Sequence, residues 1–178
     1  MNTLKNVMLI IFLGLFTISV SGQTTKDKKV MLDADDAKKT LLAEDPGLQK
    51  MFDNSVGYVI FPNVGKGGLI VGGATGNGVV YEGGKPIGMA TLSKVSVGLQ
   101  AGGQAIIETI FFETKNELEE FKKGKFKLDA GASAVALEEG DAITANYSEG
   151  VAIVTHTKGG LMADVSVGGQ KFKFKPFK

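Results

Sequence analysis

The sequence predicts an α+β protein, mainly β: an antiparallel, glycine-rich curled sheet or barrel-like core. N-terminal helices precede it and one helix is inserted near 115–123. Three observations predict this class. Apolar residues recur at helical spacing between Met31 and Phe52. From Val56 onward, short β-branched and aromatic runs alternate with glycine-rich turns. A single Thr-x-x-Glu helix start, Thr114 to Glu117, interrupts them. The 25 glycines supply the bends and close backbone approaches that a small curled sheet requires.

The elements follow in order. Lys5 lies in a short basic start, residues 7–20 are almost wholly apolar, and Ser19, Ser21 and Gly22 are small. Together they predict a secretory signal peptide over 1–22, cleaved near Gly22–Gln23. The apolar run is shorter than the roughly 20 residues of a membrane span. No cysteine follows it, so a bacterial lipoprotein anchor is excluded. A polar, flexible leader is expected over 23–32, and a single domain over 33–178. Ala34, Ala37 and Leu41 give the first helix an apolar face, with Asp33 as its N-cap. Asp45-Pro46 starts a second helix, whose buried residues would be Leu48, Met51 and Phe52.

A strand over 56–62 should stop at Pro62. Further strands are expected over 68–74, 79–82, 88–97, 104–112, 126–136, 142–147, 151–157, 161–167 and 171–177. Turns are expected at Asn77-Gly78, Gly83-Gly84-Lys85-Pro86, Glu139-Gly140, Lys158-Gly159-Gly160 and Gly168-Gly169. In the inserted helix, Thr114 and Glu117 form the capping box, Leu118 and Phe121 share a face, and Gly124 is the stop.

Composition excludes several functions. Once Lys5 is set aside, 19 basic and 19 acidic residues balance, which argues against non-specific nucleic-acid binding. All basic residues are lysine, so an anion would be held by point charges and backbone N–H groups, not by bidentate guanidinium clamps. A secreted chain without cysteine fits a bacterial envelope.

The glycine-rich stretch VGKGGLIVGGATGNGVV, residues 64–80, fails as a nucleotide loop. Gly65-Lys66 is followed by Gly67, and Gly84-Lys85 by Pro86, where a Walker loop needs Ser or Thr. Ile70 and Tyr81 stand where a dinucleotide fingerprint needs its third glycine. The single histidine, His156, lies on a strand without a nearby triad. Gly131-Ala132-Ser133-Ala134-Val135 is no nucleophile elbow. Zinc ligands are nearly absent, and Asp33, Asp35 and Asp36 lack the glycine and closing glutamate of a calcium loop. Glu138, Glu139 and Asp141 read as a solvated turn. No catalytic residue, cofactor or metal site is expected; a carboxylate-pair hydrolase stays open only because pair geometry is not visible in sequence.

Two lysine-rich stretches survive. FKKGKFKL, residues 121–128, holds Lys122, Lys123, Lys125 and Lys127. QKFKFKPFK, residues 170–178, alternates Lys171, Lys173 and Lys175 with Phe172 and Phe174. In a strand that alternation puts lysines on one face and phenylalanines on the other. Such a face is either a solvated exterior over a phenylalanine core or a surface for anionic head groups.

Four stretches carry a family resemblance: VIFPNVGKGGLIVGGATGNGVV, KVSVGLQAGGQ, FKKGKFKLDAGASAVA and THTKGGLMADVSVGG, in this order. From about Ala37 to the end the chain resembles a SYLF domain, a lipid-binding module of bacterial envelope proteins and of eukaryotic membrane and actin regulators. Phe61, Pro62, Lys66, Gly72 and Gly73 match the family's first motif, and Lys158 and Gly159 its last. Leu161-Met162-Ala163-Asp164 departs from the aromatic and Ala-Gly that many relatives carry. The resemblance implies non-enzymatic binding of anionic, phosphate-bearing lipid or a membrane surface, with no nucleic acid. Lys66 and Lys158 are singled out by the motifs; Lys122, Lys123, Lys125, Lys171 and Lys173 could extend the contact. The expected setting is the periplasm or exterior, peripheral to a membrane. The alternative is a structural or protein-interaction domain of the envelope, with an envelope protein as partner and no lipid specificity.

Overall fold

The computed structural model describes residues 24–66, 73–95, 105–126, 128, 135–136, 147–157 and 169–178. Helix α1 spans Thr25–Glu44. It starts eight residues ahead of the expected cap at Asp33, so the segment read as a flexible leader is helical from Thr25. The cause is a capping box at Thr24: the Asp27 N–H donates to Thr24 Oγ1 (3.2 Å) and the Thr24 N–H to Asp27 Oδ2 (3.1 Å). Asp33 lies inside the helix and accepts from Lys29 at 2.8 Å, an i,i+4 pair. Ala34, Ala37 and Leu41 are buried, as their spacing predicts. Helix α2 spans Leu48–Asn54. Asp45 Oδ1 accepts from the Gly47 N–H (2.7 Å), which orders the turn before it. Leu48 and Phe52 are buried, and Met51 packs partly buried beside them.

The strands are β1 (Gly57–Lys66), β2 (Gly73–Glu82), β3 (Lys85–Val95), β4 (Ile106–Phe112), β5 (Val135–Ala136), β6 (Val151–Thr157) and β7 (Gln170–Pro176). Helix α3, Lys115–Lys122, lies between β4 and β5. They form one sheet in the order β5-β6-β4-β1-β2-β3-β7. Six strands are antiparallel; the two-residue β5 runs parallel to β6 at one edge. The sheet is curled and open, with β5 and β7 at its edges. The expected strand over 142–147 (apart from Tyr147, which is described and not in a strand), the strand over 161–167, and the turns at Glu139-Gly140 and Lys158-Gly159-Gly160 lie outside the described residues. The expected strand over 126–136 appears, among its described residues, only as β5.

Two differences from expectation have a clear cause. β1 does not stop at Pro62 but runs to Lys66, with register shifts between Ile60 and Gly65 against β2 and between Phe61 and Val64 against β4. The missing proline N–H is accommodated at this irregularity. β2 passes straight through Asn77-Gly78, expected as a turn; these pair with Thr91 and Ala90 of β3. Glycine serves there for close approach: a Cβ on Gly78 would meet the Ile60 carbonyl oxygen at 2.5 Å and the Phe61 ring at 2.6 Å. Gly78→Ala is therefore expected to destabilise by about 1–3 kcal/mol through overpacking, read as a lowered urea midpoint. An unchanged midpoint would contradict this role. The real hairpin turn is Gly83-Gly84, with φ +55° and +75°, the left-handed pair that a two-residue turn demands. Lys85 and Pro86 already belong to β3.

The sheet has a core on each face. Tyr58, Ile60, Val79, Ile107, Phe111 and Val154 face α1 and α2, against Ala34, Leu41, Leu48 and Phe52. Val59, Phe61, Val80, Leu92, Ile110 and Phe112 face the inside of the curl, with Leu118 and Phe121 of α3 and Phe172 of β7. The curl is measurable. β4 and β7 are four strand positions apart, roughly 19 Å in a flat sheet, yet Gln170 Nε2 donates to Glu108 Oε2 at 2.9 Å.

α3 forms where expected. Thr114 Oγ1 accepts from the Asn116 N–H (3.1 Å) and donates to the Glu117 carboxylate. Gly124, with φ +68°, terminates it.

Candidate functional site

β7 is the sheet edge that carries the second lysine-rich stretch. It pairs with β3 through Ser93↔Lys171, Thr91↔Lys173 and Met89↔Lys175. The two-residue period sorts its side chains. Gln170 and Phe172 are buried, whereas Lys171, Lys173 and Lys175 are exposed. Phe172 is fixed among three rings, with centroids 6.0 Å from Phe61, 5.2 Å from Phe121 and 5.7 Å from Phe126. The core thus holds the inward face of β7, and the outward face presents three ammonium groups in a row. Among the described residues, none of the three forms an ion pair.

The first lysine-rich stretch is built differently. Lys122 Nζ lies 2.8 Å from Glu82 Oε2 and 3.0 Å from Glu119 Oε1, with its side chain 16% exposed. Burial pulls its pKa down, but the hydrogen bonds to Glu82 and Glu119 outweigh that and hold it above the ordinary lysine range. Lys123 is 3.8 Å from Glu120. Lys125 is exposed. Lys66 ends β1, its backbone paired with Ala74; its side chain lies outside the described residues. Lys158, one residue past β6, and Lys127 also lie outside them. Of the seven lysines proposed from sequence, the described structure brings Lys171 and Lys173 onto one face and places Lys122 in an internal ion pair beside α3.

Lys122→Met should therefore act on stability more than on binding. Loss of about 1 kcal/mol at neutral pH is expected for this partly exposed pair. Because the folded-state pKa is raised, that contribution is complete below the unfolded lysine value of about 10.4 and fades as pH rises through the folded one. Denaturant midpoints of wild type and variant should converge in strongly alkaline buffer. A variant of full stability that no longer bound its ligand would instead place Lys122 in the contact.

Sequence reasoning missed a buried polar group inside the curl. Glu108 is fully buried, accepts from Gln170, and is paired in register with Thr155, also fully buried. The signal was available: in IIETIFF, Glu108 has the same strand parity as Ile106, Ile110 and Phe112, so a charge stands at a core position. His156 pairs in register with Ile107, and its Nδ1 is buried without a hydrogen-bond partner among the described residues. Among those residues no three potential metal ligands cluster, and no helix is long and apolar enough to cross a membrane.

The described residues thus form a curled open antiparallel sheet with helices α1 and α2 on its outer face and a basic edge strand. Residues 93–176 match the sequence profile of a family described as "Ysc84: Las17-binding protein actin regulator", a match to the SYLF-type domain that the sequence motifs resemble. It is also 29% identical over 158 residues to Beta cell expansion factor A of Aeromonas veronii, an alignment covering 86% of this chain. The chain spans 59% of that relative's length.

Proposed function

We propose that this protein binds anionic, phosphate-bearing lipid at a membrane surface of the bacterial envelope, without catalysing a reaction. The observation that carries the reading is the outward face of β7, where Lys171, Lys173 and Lys175 are exposed and form no ion pair among the described residues. Each lysine close to an anionic surface adds on the order of 1 kcal/mol, and salt weakens the attraction. Lys123 and Lys125 lie at the end of α3, which packs on β7 through Phe121 and Phe172 with ring centroids 5.2 Å apart; they extend the basic surface. Lys66 and Lys158 join the proposal through the family motif. The apolar N-terminal segment directs the chain across the inner membrane, to the periplasm or exterior.

The test is co-sedimentation with vesicles of neutral phosphatidylcholine, with and without anionic lipid. Capture by the anionic vesicles alone is expected; equal capture by both, or by neither, contradicts the reading. A second reading is favoured by the matched family's description, which names a protein partner. It takes the domain as an interaction module for an envelope protein and predicts a stable pulldown partner with indifference to lipid.

A further inference from the structure

A groove of about 180 Å³ opens between the first turns of α1 and the outer face of β2, β3 and β7. Lys26 comes to it from the helix, and Lys173 and Lys175 from the edge strand; Asp27 is the acidic residue in its lining. Val30 and Met89 supply apolar lining. Two features hold the helix in place over the sheet. Tyr81 Oη donates to Asp35 Oδ1 at 3.4 Å, and Lys38 Nζ donates to Tyr58 Oη at 3.4 Å. The thin cover of the outer face thus ends in a basic recess whose lysines come from two different elements, α1 and β7.

We infer that this groove is the head-group site of the proposed lipid-binding surface, selective for a phosphomonoester carried by a lipid. The inference rests on the reading in the preceding section and adds to it a place and a chemistry. Three ammonium groups against one carboxylate leave a local charge of +2. A phosphomonoester carries about −1.5 to −2 at neutral pH, whereas a phosphodiester carries a single charge. The volume is below the several hundred Å³ of pockets that enclose a drug-sized ligand, so it suits a head group and leaves the acyl chains outside. Lysine point charges, without arginine, serve a compact phosphate well. Asp27 is held by the Thr24 N–H as part of the helix cap, which keeps its carboxylate directed to the backbone.

The experiment compares the full chain on phosphatidylcholine vesicles containing phosphatidic acid with vesicles containing phosphatidylglycerol, matched in total anionic charge. Binding to phosphatidic acid should be about fivefold tighter, the equivalent of one further charge contact. Lys26→Ala should reduce affinity for phosphatidic acid to the phosphatidylglycerol level, and the pair Lys173→Ala/Lys175→Ala, which also serves the general basic face, should lower both affinities and abolish the difference between them. Lys123→Ala/Lys125→Ala, outside the groove, should lower both affinities alike and preserve their ratio. Equal binding to the two charge-matched vesicles overturns the groove assignment while leaving lipid binding in place. Failure to bind any vesicle removes the underlying reading. Calorimetric binding of glycerol 3-phosphate without vesicle capture overturns the lipid source of the phosphate. Thermal melts of each variant exclude unfolding as the cause of a loss.

Discussion

Replacing Lys171, Lys173 and Lys175 together with alanine is expected to weaken capture by anionic vesicles about 100-fold. Three lysines at on the order of 1 kcal/mol each give about 3 kcal/mol, and 1.4 kcal/mol is tenfold in an equilibrium constant. The fold should tolerate the change. All three side chains are exposed on a strand edge and make no ion pair among the described residues, so each substitution should shift stability by no more than about 0.5 kcal/mol. Vesicle partitioning and a thermal melt on the same preparation separate the two effects. Undiminished partitioning would show that the edge strand is a solvated exterior and no more.

Phe172→Ala, one residue away from two of these lysines, should do the opposite. Phe172 is 5% exposed and meets the Phe61, Phe121 and Phe126 rings. It joins β7 to β1 across the curl and to α3 above it. Truncating a buried phenylalanine costs about 3–5 kcal/mol, which for a chain of this size lowers the melting temperature on the order of 10 °C. Calorimetry should find Lys173→Ala nearly unchanged beside it. Similar melting temperatures for the two variants would refute the two-faced reading of β7.

The alternation in QKFKFKPFK made that strand legible, because a period of two fixes both faces before any partner is known. The inserted helix was legible for a similar local reason: Thr114, Glu117, Leu118 and Gly124 hold the cap, the buried face and the stop within eleven residues. Tertiary contact hid the rest. Asn77-Gly78 has the composition of a hairpin turn, but Gly78 is required where β1 passes over it. Pro62 has the composition of a strand end, but a register shift carries β1 past it. The start of α1 was missed because its first turns are polar, and the signal lay in the short Thr24–Asp27 cap.

The site was half legible. Which lysines share a face follows from strand parity. That Lys122 is bound to Glu82, 40 residues away in sequence, does not, since both its partners and its burial depend on how α3 sits on the sheet. Likewise, nothing local announces that Lys26 from the first helix meets Lys173 and Lys175 from the last strand. That recess exists only because the sheet order puts β7 beside β3, under the N-terminal end of α1.

Co-sedimentation of the unmodified protein with neutral and anionic vesicles, repeated across a series of salt concentrations, tests the central claim most directly. Capture confined to anionic vesicles, and falling steadily as salt is raised, is the predicted result. Capture that ignored lipid charge, or that persisted unchanged in high salt, would contradict it.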